Sequence, residues 1–318
     1  MTNIGEPWMW AGFIVFVIAM LALDLFVLGG RKAHKVSVKE AATWSVVWVT
    51  LALVFNGLLW WYLDRSMGAE IASQKSMEFL TGYVIEKSLS VDNVFVFLMI
   101  FTAFNVDPQH QRRVLLYGVL GAIVLRAIMI FAGAWAVREF HWVLYLFGVF
   151  LVITGIKMLV TVDKEPNLQN NAVLKFAKRH LRITDGFRGE KFSVTEHGVR
   201  YFTPLFLVLL MVEASDVIFA VDSIPAIFAI TTDPFIVFTS NIFAIMGLRA
   251  LYFLLADMAD RFHLLKYGLA LLLVFIGGKM LAANWVHVPT YISLTVIATI
   301  LVTSIVASLL ATRQGVKK

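Results

Sequence analysis

The chain has 318 residues, 60% of them hydrophobic and only 15% charged, with a mean hydropathy of +0.81. Soluble globular domains are about 45–50% apolar, so this composition excludes an ordinary soluble fold and calls for lipid as solvent. The net charge of +6 comes from basic residues in loops between apolar runs, which is an orientation signal and not a nucleic-acid surface. Cysteine is absent, which excludes disulfides, thiolate metal sites and thiol redox chemistry.

A membrane span needs about 20 mostly apolar residues. Nine stretches qualify: about 8–28, 42–62, 79–104, 114–136, 141–161, 202–229, 235–256, 265–283 and 288–310. The pattern predicts an all-α polytopic membrane protein with a single membrane domain. The first ten residues carry no basic region, and the chain reads as entering its first span without a cleaved signal peptide. Trp8, Trp10, Trp60, Trp61, Trp142 and Trp285 sit near span ends, as interfacial anchors do. Among the loops between spans, the even-numbered ones carry only Arg65, Lys75 and Arg138 as basic residues. The odd-numbered loops and the C-terminal tail carry most of the rest. That bias places the N-terminus outside and the C-terminus in the cytoplasm of a bacterial inner membrane.

The stretch of about 162–201 is basic and polar. Its segment NAVLKFAKRHL predicts a short amphipathic helix. FRGEKFSVTEHGVRYF predicts a hairpin turning at His197-Gly198. Such a loop suits an anionic membrane surface or a partner protein.

Spans 3–5 (unit 1, about 79–161) resemble spans 6–8 (unit 2, about 202–283). EKSLSVDN from Glu86 to Asn93 aligns with DVIFAVDS from Asp216 to Ser223. GAIVLRA, with Arg126, aligns with AIMGLRA, with Arg249. The runs Tyr145–Met158 and Tyr267–Met280 align in turn. Three spans is an odd number, so the units must face opposite ways. This inverted repeat predicts a binding site near the midplane, as in many secondary transporters. Spans 8–28, 42–62 and 288–310 lie outside the repeat.

Five carboxylates sit in the matching spans: Glu86, Asp92, Glu213, Asp216 and Asp222. Unpaired and facing lipid, they would cost on the order of 12–17 kcal/mol. They must therefore meet a cavity, a cation or each other. Glu86 and Asp92 diverge by roughly 120° on an ideal helix. Convergence requires local unwinding, which Pro225 favours in span 6, or ligands from the partner helix. Arg126 and Arg249 are the deep bases that can neutralise acids, while Lys157 and Lys279 can snorkel. Salt bridging alone and a metal-free proton relay are alternatives to cation binding. An oxygen-rich set free of sulfur and histidine suits Mg²⁺, Ca²⁺ or Mn²⁺, with Asn93, Ser223 and Ser90 as neutral oxygens. Asn241 bridges helices or lines the pathway. Asp24 reaches interfacial water near the end of span 1. Gly155, Gly277 and Gly278 allow close helix approach.

At Glu86–Phe97 (EKSLSVDNVFVF) and Glu213–Ile227 (EASDVIFAVDSIPAI) the sequence resembles the TerC family of membrane proteins. The resemblance extends over nearly the whole chain. It implies Glu86, Asp92, Glu213, Asp216 and Asp222 as the metal-handling set and manganese export from the cytoplasm as the function, with no enzymatic reaction. It also carries a second implication, a non-transporting membrane factor in metal, tellurite or redox stress resistance acting through partner proteins.

Overall fold

The computed structural model describes residues 4–23, 37–140, 142–160, 172–256, 264–286 and 288–315. Asp24, the end of the first expected span and residues 162–171 of the basic loop lie outside the described residues. In chain order the elements are α1 (Pro7–Leu23), α2 (Val38–Met67), α3 (Ala69–Ala103), α4 (Pro108–Glu139), α5 (Val143–Val160) and α6 (Ala172–His180). A hairpin follows, β1 (Ser193–Glu196) and β2 (Val199–Phe202), then α7 (Pro204–Phe228), α8 (Pro234–Met246), α9 (Leu248–Ala256), α10 (Leu265–Ala282) and α11 (Thr290–Gly315).

Local signals set several helix starts. Ser37 caps α2 by accepting from Glu40 N at 3.2 Å. Asp107-Pro108 and Asp233-Pro234 start α4 and α8 with a capping carboxylate and a proline that needs no amide donor.

The protein is an all-α polytopic membrane protein. Among the described residues, seven helical stretches are long and apolar enough to cross a membrane: α2, α4, α5, α7, α8 with α9, α10 and α11. Two of the nine expected spans fall outside that set for physical reasons. Helix α1 is apolar but has only 17 residues. Helix α3 has 35 residues, but it starts at Ala69, ten before the expected boundary, and carries Glu70, Lys75, Glu78, Glu86, Lys87 and Asp92.

In the most apolar 18 residues of each stretch, 94% are buried in α8–α9 and only 17% in α11, so the former is the centre of the bundle and the latter its margin. Helices α3, α4 and α7 surround α8, and α1 and α2 cover it from one side. Phe13, Phe55, Phe79, Phe235 and Phe243 fill that contact. Trp10, expected as an interfacial anchor, packs instead on Phe235 and Phe238.

Helix α5 lies along α10 through small residues. A Cβ on Gly155 would fall 2.8 Å from the carbonyl oxygen of Ala270, and one on Gly277 would fall 2.6 Å from that of Gly148. Within the aligned runs Gly155 matches Gly277 and Gly148 matches Ala270, so the two close approaches are reciprocal. Gly278 meets nothing within 4 Å and plays no part in the approach.

One further expectation needs correction. Pro225 does not unwind its helix, because α7 runs continuously to Phe228 and the proline lies in its last turn. The break falls instead at Gly247, between α8 and α9. The basic loop contains the expected helix and hairpin, with His197 (φ 51°) and Gly198 (φ 78°) in the turn. Leu174 and Ala177 of α6 bury against Leu205 and Val208 of α7, docking α6 on the bundle.

Candidate functional site

Helices α3, α4, α7 and α8 meet around Arg126, whose side chain is fully buried. Its Nε and Nη2 donate to the two carboxylate oxygens of Asp216 at 3.2 and 3.0 Å. Its Nη1 donates to Glu86 and reaches Ser223 Oγ and Asn241 Oδ1 at 3.3 Å each. Asn241 in turn donates to the second oxygen of Glu86 at 3.1 Å. Glu86, Asp216, Ser223 and Asn241 are all buried. The fork geometry of guanidinium suits such two-sided carboxylate binding. Two acids share one cation, so with all three ionised the cluster carries one net negative charge.

Beside this cluster lies a cavity of about 30 Å³, lined by Glu86, Asp92, Asn93, Arg126, Asp222 and Ser223 with Leu89, Met158, Phe219, Leu269 and Leu273. That is room for one water-sized occupant. Asp92 of α3 and Asp222 of α7 are electrostatic neighbours there. Asn93, 1% exposed, points an Oδ1 that has no hydrogen-bond partner among the described residues. A buried orphan acceptor is costly unless something donates to it or it binds a cation.

The structure divides the expected acidic set. It brings Glu86, Asp92, Asn93, Asp222 and Ser223 to one cavity and ties Asp216 to Arg126. Convergence of Glu86 and Asp92 requires no unwinding of α3, since α7 closes the cavity from the other side. Glu213 lies away from the cavity, its carboxylate against Gly121 of α4, and its Oε2 is buried with no partner among the described residues. Ser90 is buried with a hydroxyl that likewise has none. Arg249 is buried on α9 and does not line the cavity. Lys157 lies in the electrostatic field of Asp222, and Lys279 in that of Glu78. Lys266 stands near Asp92. Among the described residues, no three His, Cys, Asp or Glu side chains stand close enough to hold a metal ion by themselves.

A second charged cluster escaped sequence reading. Glu78 accepts from Lys75 Nζ at 2.8 Å, Thr231 Oγ1 at 2.6 Å and Gln74 Nε2 at 2.9 Å. Cavities of about 490 and 550 Å³ open beside it, one lined by Lys75, Arg138 and Asp233, the other by Lys279 and Tyr291. The signals were present in the Asp-Pro cap and in the i, i+3 pair Lys75–Glu78. Each lies just before an expected span boundary, the pair before residue 79 and the cap before residue 235.

Residues 71–316 match the family described as "Integral membrane protein TerC family". The chain belongs to the TerC family. It is 56% identical over 318 residues to a Salmonella typhi protein named "Putative membrane-bound redox modulator Alx", covering 100% of this chain and 99% of that protein. The Escherichia coli K12 protein of the same name is 57% identical over 302 residues, covering 95% and 94%. A Myxococcus xanthus protein named "Uncharacterized membrane protein STKORF319" is 52% identical over 313 residues, covering 98% and 95%. No solved structure matches. The TerC match contains every residue of the Arg126 cluster and its cavity, so the site belongs to the family's own part of the chain.

Proposed function

We propose that this TerC protein is a secondary transporter that exports a divalent metal cation, Mn²⁺, from the cytoplasm across the bacterial inner membrane. The observation that carries the reading is the cavity between α3 and α7, which Asp92, Asp222 and Glu86 line together with the orphan carboxamide oxygen of Asn93. Hard oxygen ligands of this kind select Mn²⁺, Mg²⁺ or Ca²⁺ over softer metals. The choice of manganese, and of the outward direction, comes from the family resemblance. Asp216 and Ser223 hold the Arg126 cluster beside the cavity. Glu213, one turn before Asp216 on α7, is a staging carboxylate toward the cytoplasmic end.

In this reading α1 and α3 also cross the bilayer. That gives nine spans, with the N-terminus outside and the C-terminus in the cytoplasm. Units α3–α5 and α7–α10 are related by a pseudo-two-fold axis. The reciprocal contacts Gly155–Ala270 and Gly277–Gly148 support that symmetry. So does the packing of α3 on α8 alongside that of α4 on α7. Rocking of one unit against the other then exposes the cavity to each side in turn.

A second reading is a non-transporting membrane factor in metal, tellurite or redox stress resistance, acting through partner proteins at the basic loop. The names of the Alx relatives favour it, as does the pairing of Glu86 and Asp216 with a resident arginine.

Reconstitution in vesicles separates the two. Purified protein is expected to move Mn²⁺, and Asp92→Asn and Asp222→Asn are expected to abolish that flux while keeping the fold. Absence of flux for Mn²⁺, Mg²⁺ and Ca²⁺ in the wild type selects the second reading. Unchanged flux in both variants removes the cavity as the site.

A further inference from the structure

Two cavities lie side by side where α7 passes into α8, next to the first turns of α3. Their volumes are about 490 and 550 Å³, against about 30 Å³ for the central cavity, and Gln74, Glu78, Ala229 and Ile230 line both. Between them α3 meets the α7–α8 linker through a polar bridge. Thr231 Oγ1 donates to Glu78 Oε2 at 2.6 Å, and Lys75 Nζ donates to the same oxygen at 2.8 Å. Thr231 Oγ1 also accepts from Asp233 N at 3.2 Å, and Asp233 Oδ2 accepts from Ile4 N at 3.0 Å. The bridge therefore joins α3, the linker and the N-terminal segment. Lys75, Glu78, Thr231 and Asp233 are all buried.

The same two helices run from this bridge to the central cavity. On α3, Glu78 stands eight residues before Glu86, about 12 Å along the axis. On α7, Ala226 and Ile227 stand between Ser223 and the linker. The packing between the two levels is tight. Ile85, Ala226 and Ile227 are fully buried, and Ile85 and Ala226 belong to one apolar cluster. A Cβ on Gly82 would fall 2.9 Å from Ser240 Oγ and 3.4 Å from Cγ2 of Ile227. A tie within a packed core has neighbours on every side and no room to part. The Glu78–Thr231 contact has open space on both flanks, and its polar groups can exchange each other for water when they separate.

We infer that the Lys75–Glu78–Thr231 bridge is the latch of an outer gate. While it holds, the seam of Gly82, Ile85, Ala226 and Ile227 seals the central cavity. When it parts, the two flanking cavities join into one vestibule that leads down to the cavity carboxylates. The inference rests on the transport reading and on the orientation proposed with it, and it gives the rocking motion a place, α3 against the α7–α8 linker. Glu78 and Thr231 act on access to the site, not on metal binding.

The chain has no cysteine, so an introduced thiol is the only one present. Ala226→Cys places it in the buried seam. Its labelling by a membrane-impermeant maleimide is followed in spheroplasts and in inverted membrane vesicles, with the bridge intact and with Thr231→Val or Glu78→Gln added. Each bridge variant is expected to speed labelling from the outer face by roughly two- to tenfold, the shift in a closed–open equilibrium that one lost hydrogen bond brings. Equal rates with and without the bridge overturn the inference, as does faster labelling from the cytoplasmic face alone. In a second protein, Glu78→Cys with Thr231→Cys, a short, cleavable bifunctional reagent joins the two thiols. In proteoliposomes the joined protein is expected to lose Mn²⁺ flux and to regain it on cleavage. Flux unchanged by joining overturns the inference, as does a pair that the reagent cannot join. If the wild type moves no metal, the transport reading falls by itself, and the labelling rates still decide whether the bridge closes the outer end. Bridge variants that do not fold make the contact a structural tie and overturn the inference as well.

Discussion

Arg126 holds Asp216 through two nitrogens, at 3.0 and 3.2 Å, while a third reaches Glu86. Glu86 and Asp216 occupy matching positions in the two similar sequence motifs, so one arginine of α4 clamps a carboxylate from α3 and one from α7. Removing one partner of a buried ion pair strands the others, at about 3–5 kcal/mol. Arg126→Met is therefore expected to destabilise by that amount. Arg126→Lys is expected to recover only part, since an ammonium cannot reproduce the fork. Adding Asp216→Asn to Arg126→Met is expected to recover part of the loss, with a coupling of about 0.5–3 kcal/mol. Melting in detergent across the double-mutant cycle measures it. Additive losses would mean that the clamp is not a unit.

Asn241 donates to Glu86 Oε2 and accepts from Arg126, so it orients a cavity carboxylate without lining the cavity itself. Outer partners of metal-binding carboxylates typically change affinity by about 10–100-fold when removed. Asn241→Leu is expected to weaken Mn²⁺ binding within that range, read by titration calorimetry on purified protein. Asn241→Asp is expected to restore neither the bond to Glu86 nor the affinity, because it replaces a donor with a like charge. Tight binding in both variants would place the cation away from Glu86.

The α5–α10 seam offers a paired test in adjacent glycines. Alanine at Gly277 places a methyl 2.6 Å from a backbone oxygen that cannot rotate away. The helices must separate, at roughly 1–3 kcal/mol. Alanine at Gly278 meets nothing within 4 Å and relieves the entropy of a helical glycine, a gain of about 0.5–1 kcal/mol. The expected outcome is opposite shifts in melting temperature from neighbouring, chemically identical substitutions. Gly155→Ala is expected to behave like Gly277→Ala, because the two approaches are reciprocal.

The sequence made most of this arrangement legible where the chemistry is local or periodic. Apolar run length predicted the polytopic helical class. The turn at His197-Gly198 predicted the hairpin, and carboxylates in matching motifs marked the helices that meet. The sequence marks Arg126 as a base for the acidic set and Asn241 as a residue that bridges helices or lines the pathway, but not which carboxylates they meet. Contacts between residues 86, 126, 216 and 241 depend on helix crossing, which side-chain spacing along one helix does not encode. Proline drew attention to Pro225, yet a proline in the last turn leaves few downstream bonds to lose, and α7 tolerates it. The actual break uses Gly247, an unremarked glycine inside an apolar run. The Lys75–Glu78–Asp233 cluster was missed because charge within an expected loop attracted no explanation.

Asp233 gives that cluster a measurable signature. It sits outside the spans, between α7 and α8, and is 4% exposed. Its Oδ1 caps α8 through Phe235 N and Ile236 N at 3.0 and 3.4 Å, and its Oδ2 accepts from Ile4 N at 3.0 Å. Lys75 Nζ is 4.0 Å away. Burial nonetheless wins over these bonds and raises the carboxyl above the usual aspartate value of 3.8. A carboxyl whose folded value is raised favours folding while protonated. Its contribution is complete below 3.8 and declines as pH rises through the raised value. Asp233→Asn keeps a capping oxygen but does not titrate, and it turns an amide toward Ile4 N. The wild type is therefore expected to hold a stability margin over Asp233→Asn at low pH that shrinks as pH rises past 3.8. Asp233→Ala, which removes the cap, is expected to lose about 0.5–2 kcal/mol. Melting temperatures of the three proteins across an acid-to-neutral pH series measure both effects. A margin that widens with pH would mean that Lys75 and the amide donors outweigh burial, reversing the sign assigned to Asp233.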